Sequence, residues 1–487
     1  MMRIINVCLG FILLLTGVFS AYAQQDDAGR KKIFRAGASL SNITPPLGLP
    51  IVGNYQSPLA THIHDELHAR SLVLDDGSTR LAFVIVDNVG VDQAVFDEAK
   101  RRIEQATGLP QKHILMSATH THSATSAGGL GEKRRAWKGD GALDEYQTFL
   151  AGRITDGVRV AINNLAPARI GWGAGKVPQH LFNRRWRMKE PVQNPFGVKE
   201  SVVMNPGVAS PNLLEPAGPT DPEVSFISVQ SREGKPIALL ANYSLHYVGG
   251  VPDGHISADY FAVFADRIQE LLKADRQDPA FVGILSNGTS ADVNNINFRG
   301  PREQHPPYVK MRIVADDVAR EVLRVYGSVQ HHDWVPLKAA HSKMTLNVRR
   351  ATPEMLAFAK RVVARPDDVK PGHPLEKIYA ERVLQMQEEW PDQVDIILQT
   401  FRIGDLGVAA VPFETFTETG LEVKSKSSFK PSFTISLANG SYGYLPTPGQ
   451  HANGGYETWL TTNKVQKDAT VKIVAELMNL FSTMKDN

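Results

Sequence analysis

The chain holds a single cysteine, Cys8, and that residue falls inside an apolar leader. Once the leader is removed no disulfide, cysteine nucleophile or thiolate metal ligand is available, so any metal centre must draw on His, Asp, Glu and Tyr. Charge of one sign is lacking as well. With 53 basic and 51 acidic side chains there is no electrostatic reason to expect nucleic acid or an anionic membrane as a partner. Internal repeats and low-complexity tracts are missing, and no hydrophobic run beyond the leader is long enough to cross a bilayer. Hydrophobic residues at 42% and charged residues at 21% are ordinary for a globular chain with ample material for a core.

The leader runs from Met1-Met2-Arg3 through the apolar stretch Ile4 to Val18 to Ala21-Tyr22-Ala23, followed by the polar Gln24-Gln25-Asp26-Asp27. A basic start, an apolar segment shorter than a bilayer span and an Ala-x-Ala site predict a cleaved signal over 1–23 and export to the periplasm or beyond. The alternative for the same residues is an anchoring helix. A mature chain of 24–487 is then expected to form a single domain.

Short apolar runs alternate with helical spacing along the rest. Leu81 to Val86, closed by Asp87, and His113 to Ala118 read as buried strands, with helical spacing between them from Val91 to Gln105. Strands return at Val224–Val229, Ile237–Tyr243, Phe281–Leu285, Gly407–Phe413 and Phe433–Leu437, and helical spacing recurs in 258–273, 306–326, 352–390 and the tail from Lys464. The stretch 176–222, rich in Pro, Asn, Gly and Arg, reads as a long structured loop of the kind that lines sites. Alternating strands and helices predict an α/β fold, with chemistry at the strand ends.

Candidate residues sit at those ends. Thr119-His120-Thr121-His122 follows one strand, and on an extended backbone residues two apart share a face, which would bring both imidazoles to one metal or substrate. His246 closes the strand ending at Tyr243 and precedes Gly249-Gly250. A structural histidine beside a turn is the alternative there. Glu414 closes a hydrophobic strand, where a carboxylate is costly unless paired, hydrogen-bonded or metal-bound. Two histidines and a carboxylate with an open position form a familiar catalytic-zinc set. Arg184 and Arg185, in Asn183-Arg184-Arg185-Trp186, offer guanidinium groups for a carbonyl, carboxylate or sulfate, or else a solvated basic cluster with Arg187 and Lys189. The segment Asn439-Gly440-Ser441-Tyr442-Gly443-Tyr444, leading to Gly454-Gly455-Tyr456-Glu457, can bring a phenol to a metal or substrate oxygen.

Taken in order, Ala118 to Ser123, Asn183-Arg184, Leu245-His246, Phe413-Glu414 and Asn439 to Tyr444 resemble the catalytic domain of the neutral/alkaline non-lysosomal ceramidase family, over about Ala36 to Glu457. The resemblance implies layered central β-sheets flanked by helices and one zinc ion on His120, His246, Glu414 and a tyrosine, here Tyr442. It implies that His122 and Arg184 stand beside the metal and contact the substrate, and that the reaction is hydrolysis of an N-acyl bond by metal-activated water. Three departures stand out. Asn294 occupies the place of a serine in the family's Asp-Val-Ser-Pro-Asn segment. Ser441 occupies the place of the zinc tyrosine, with Tyr442 one step on. The family's C-terminal immunoglobulin-like domain is not expected, because the chain ends soon after the Tyr456 segment. The implied substrate is a small molecule, an N-acylated lipid such as ceramide. The competing reading is a periplasmic metal-dependent enzyme that acts on acidic oligosaccharides with the same centre. A deep apolar pocket would favour the lipid, and a shallow cleft lined by Arg, Trp and Tyr the sugar.

Overall fold

The computed structural model of the chain describes residues 32–53, 55–128, 142–274 and 278–485. The signal expected over 1–23, with Cys8, lies outside these residues. Phe34–Asn487 form one compact unit. Among the described residues no helix is long and apolar enough to cross a membrane.

Strand periodicity accounts for the layers. In Arg80–Val86 every apolar residue is buried, and the two faces of the strand serve different cores. Ala82, Val84 and Val86 pack with Val95, Phe96, Ile154 and Val158 of the helices Gln93–Thr107 and Glu145–Asn163. Leu81, Phe83 and Ile85 pack instead with Phe401, Val408, Phe433 and Ile435 of a second sheet. Phe83 and Phe401 meet edge to face, with ring centroids 5.2 Å apart. The same division holds in Pro236–Tyr243, where Ala238 and Leu240 face the second sheet while Leu239, Ala241 and Tyr243 face the helices Asp259–Leu271 and Val309–Tyr326. Each fully buried Val, Leu, Ile or Phe side chain among these contributes roughly 1.5–3 kcal/mol, and each alanine less. The result is four layers, helix, sheet, sheet and helix, with Ala469–Thr483 covering the far side of the second sheet.

The larger sheet has eight strands, in the order Val282–Asn287, Pro236–Tyr243, Glu223–Ser231, Ala166–Lys176, Arg35–Asn42, His68–Asp75, Arg80–Val86, Ile114–Ala118. The second has four, in the order Leu337–Asn347, Gln393–Ile403, Leu406–Ala410, Ser432–Ile435. Three neighbouring pairs are parallel: Arg80–Val86 with Ile114–Ala118, Pro236–Tyr243 with Val282–Asn287, and Leu406–Ala410 with Ser432–Ile435. Residues 436–439 stitch their ends together. Ser436 N donates to Asn287 O at 3.0 Å, Ala118 N to Leu437 O at 3.2 Å, Leu437 N to Phe413 O at 3.0 Å and Asn439 N to Met116 O at 2.8 Å. Strand ends far apart in sequence therefore meet in one place.

The stretch 176–222 is not a loop throughout. Arg185–Gln193, Lys199–Met204 and Leu213–Pro216 form a three-stranded antiparallel sheet. Its outer half is solvent-exposed and its register slips between Arg187 and Val192, so no two-residue apolar alternation marks it. The region 352–390 divides into Pro353–Val363 and Glu376–Glu389, with Pro366, Pro371 and Pro374 between them, as proline's missing N–H requires.

Candidate metal centre

His120 follows the strand Ile114–Ala118 and has φ of +73°, a left-handed conformation that is costly for a residue with a Cβ. Its N–H donates to Asn88 O at 2.8 Å. The backbone there is kinked, so His120 and His122 do not meet because they share the face of an extended strand. The kink brings their rings together edge to face, with Nε2 atoms 3.2 Å apart. His246, just beyond Pro236–Tyr243, places its Nε2 3.2 Å from that of His120. Glu414 enters from the second sheet, and its Oε2 lies 3.3 Å from His120 Nε2.

The donor chemistry suits a cation. His120 Nδ1 lies 2.6 Å from Val89 O and His246 Nδ1 lies 3.2 Å from Ser290 O. A carbonyl can only accept, so each ring carries a hydrogen on Nδ1 and, in its neutral form, turns a lone pair on Nε2 toward the other. Buried Glu414 Oε2 makes no well-formed hydrogen bond, although His120 and the Tyr444 hydroxyl adjoin the carboxylate. Facing lone pairs and an unsatisfied carboxylate oxygen repel unless a positive charge lies among them. Carbonyl backing of Nδ1 is also how metal-bound histidines are usually oriented. His122 differs: its Nδ1 faces the Gly53 backbone without a well-formed hydrogen bond, and its ring stacks on Tyr247 at 3.8 Å. Burial, with the neighbouring imidazole of His120 and the Arg184 cation, pushes His122 well below the usual imidazole range. Burial and Arg184 do the same to His246, so both are neutral at pH 7. His120, His122 and His246 form a cluster able to hold a metal.

Arg184 is buried beside this cluster. Its Nε donates to Glu457 Oε1 at 3.2 Å and its Nη2 to the Tyr444 hydroxyl at 3.0 Å. Burial opposes its charge, but Tyr444, Glu457 and Glu414 hold it firmly protonated. Arg185 takes the other oxygen of Glu457 and donates to Gly454 O at 2.6 Å. The two arginines thus form a closed buried triad with Glu457, not a solvated cluster open to a uronate or sulfate. Asp292 braces the segment: its Oδ2 accepts from Asn183 Nδ2 at 3.1 Å and its backbone O from Arg184 N at 2.8 Å.

Tyr442 is not at the centre. Its hydroxyl donates to Gln93 Oε1 and lies 3.2 Å from Asp395 O, and its ring packs on Phe413. Tyr444 stands there instead, because Glu414–Thr415 pairs in parallel with Tyr444–Leu445 and sets Glu414 opposite Tyr444. Burial and the Glu414 carboxylate raise the Tyr444 hydroxyl well above the usual phenol range in the metal-free chain. Gly443, with φ of +83°, turns the backbone between the two tyrosines. Asn294 lies one step behind the cleft, where its Nδ2 donates to Asn205 Oδ1 at 2.7 Å. Glu457, Asp292 and Tyr247 received no role from sequence reasoning, and Tyr444 stood there only as one member of the aromatic segment 439–444. The pairing of Arg184 with Glu457 spans 273 positions, and no local pattern announces it.

The cluster opens into a cleft of about 440 Å³ lined by His122, His246, Arg184, Asn205, Tyr247, Ser441, Tyr444, Tyr456 and Arg382. Tyr55, Met204 and Tyr456 are shared with an adjoining, mostly apolar pocket of about 190 Å³ that adds Val192, Val202, Val203, Leu375 and Trp459.

Comparisons with known proteins agree with this geometry. The model of the neutral/alkaline non-lysosomal ceramidase N-terminal region matches residues 34–308, more than half of the chain. The crystal structure of neutral ceramidase from Pseudomonas aeruginosa superposes with a TM-score of 0.65 at 16% identity, covering 93% of this chain and 75% of that one. A ceramidase complexed with C2 superposes with a TM-score of 0.64 at 16% identity and the same coverage. The fold is the mixed α/β fold of those structures, and the chain belongs to the neutral/alkaline non-lysosomal ceramidase family of hydrolases.

Proposed function

We propose that this chain is an exported, zinc-dependent hydrolase that cleaves the N-acyl bond of a small molecule. The observation that carries the reading is the meeting of the His120 and His246 Nε2 atoms with a buried Glu414 oxygen that makes no well-formed hydrogen bond. His120, His246 and Glu414 would hold the ion, with Tyr444 in place of Tyr442 as the fourth oxygen. Bound there, zinc would polarise an acyl oxygen and lower the pKa of water.

The chain's own groups account for the rest. His122 lies against the ligand cluster, and its Nδ1 makes only a poorly formed contact with the Gly53 backbone, so its tautomer is held less firmly than those of His120 and His246. It takes a proton from the attacking water and returns it to the departing amine nitrogen as the C–N bond breaks and the acyl carbon gains the hydroxyl. Arg184, fixed by Glu457, keeps a positive charge beside Tyr444 and the acyl oxygen. Asn294 holds Asn205 at the cleft wall, a role its amide can fill without acting as a nucleophile. The apolar side pocket supports an acyl or alkyl group of modest size, since a cavity of about 150 Å³ is enough for benzene. Nothing favours the oligosaccharide reading at Arg184 and Arg185, both of which are committed to Glu457.

Export follows from the Ala21-Tyr22-Ala23 site, so N-terminal sequencing of the native protein should begin at Gln24. A turnover screen of zinc-loaded protein against ceramides, N-acyl amino acids and acidic oligosaccharides tests the activity. Release of free amine from the first two classes is the expected result, and turnover of oligosaccharides alone would overturn it.

A further inference from the structure

We propose that Arg382 anchors an anionic group of the substrate, so that the preferred N-acyl compounds carry a carboxylate on the amine side. This rests on the N-acyl hydrolase reading of the same cleft. Arg382 lies on the helix Glu376–Glu389 and lines the cavity that holds His122 and His246. Its guanidinium sits over the rings of Tyr55 and Tyr379, at 5.7 and 5.5 Å from their centroids. Tyr379 is fully buried, with its hydroxyl 2.5 Å from Thr462 Oγ1, so the platform under the guanidinium is rigid.

Contacts through the ring faces leave the in-plane N–H groups of an arginine free. Most helical arginines in the chain answer this need with a carboxylate three or four residues away, as Arg101 does with Glu98, Arg320 with Asp316 and Arg324 with Glu321. At the corresponding positions around Arg382 stand Ile378, Tyr379, Gln385 and Met386. Among the described residues Arg382 has no hydrogen bond and no ion pair. The other guanidinium of the cleft, that of Arg184, is spent on Glu457 and Tyr444. A partly buried planar fork with no acceptor, opening into a catalytic cleft, matches a carboxylate in two parallel hydrogen bonds.

Calorimetric titration with N-hexanoylglycine and N-hexanoylethanolamine, which differ only in carboxylate against hydroxymethyl, tests this. The zinc-loaded wild type should bind the glycine conjugate roughly ten- to a hundredfold more tightly. Arg382→Met should bring the two affinities together, and Arg382→Lys, which keeps the charge and loses the fork, should fall between. If Arg382→Met proves unfolded in a thermal melt, the lysine variant and the loss of preference at high ionic strength in the wild type decide the matter. Equal affinities in the wild type, binding of neither ligand, or a preference that survives both substitutions overturns the anchor. Turnover of the same ligands judges the parent reading separately. Preferential binding without hydrolysis would leave the anchor standing and remove the hydrolase assignment, and hydrolysis of both at equal affinity would do the reverse.

Discussion

Replacing Glu457 by Gln should lower stability and turnover together. The carboxylate is fully buried and is the shared acceptor of Arg184 and Arg185. The amide keeps the shape but removes the charge and turns an N–H₂ group toward a guanidinium. Arg185 retains Gly454 O and Gln450 Oε1, whereas the Arg184 side chain retains only the Tyr444 hydroxyl. Breaking one member of a buried ion pair costs about 3–5 kcal/mol, because an uncompensated charge is left inside. With an unfolding entropy of about 2.1 cal/mol/K per residue, a unit of this size changes by about 1 kcal/mol per degree, so the melting midpoint should fall by roughly 3–5 °C. Circular dichroism melts of zinc-loaded wild type and variant measure the fall, and kcat should drop while zinc stays bound because Arg184 is no longer held. A midpoint within about 1 °C of wild type would show that the triad does not carry the charge balance argued for it.

Tyr444→Phe should weaken zinc retention and lower activity, while Tyr442→Phe should leave the metal in place and cost only the hydrogen bonding of the hydroxyl near Gln93. Zinc analysis after dialysis compares them, and equal losses would undo the choice between the two tyrosines. His122→Ala should lower turnover by about 10²- to 10⁴-fold with zinc still bound, whereas Asn294→Ala should hurt less; single-turnover kinetics and metal analysis check both. Lys100 is buried, with its Nζ 2.7 Å from Asn439 Oδ1, and burial lowers its pKa from 10.5 to about 8. Between those values the unfolded chain binds the proton and the folded chain does not, so stability rises with pH from about 8 to 10.5. Below that window the cost is fully present, on the order of 3 kcal/mol. Urea unfolding at pH 7.5 and 10 should therefore show wild type gaining on Lys100→Met at the higher pH, and an unchanged difference would contradict the burial argument.

Much of the fold was legible because its strands are buried on both faces. The runs His113–Ala118, Ile237–Tyr243 and Gly407–Phe413 announce themselves as apolar segments, and His120, His246 and Glu414 stand out as polar residues just beyond them. The three-stranded sheet within 176–222 was not legible, since Arg185–Gln193 has a mostly exposed outer half without alternation. The convergence of His120 and His122 was anticipated for the wrong reason, because the left-handed backbone at His120 depends on Asn88 and Val89 across a loop. Choosing between Tyr442 and Tyr444 required the turn at Gly443 and the register of a strand pair, both set by tertiary contacts. Glu457 and Arg382 were silent because their meaning lies in distant partners, or in the lack of one.

The central claim is that one zinc ion sits where His120, His246 and Glu414 converge, and metal content measured by elemental analysis on purified wild type and on His120→Ala, His246→Ala and Glu414→Ala tests it most directly. One zinc per wild-type chain, with occupancy and N-acyl hydrolysis lost together in the three variants, is the result this account predicts. Full zinc occupancy in all three variants, or a metal-free wild type that hydrolyses N-acyl substrates at full rate, would contradict it.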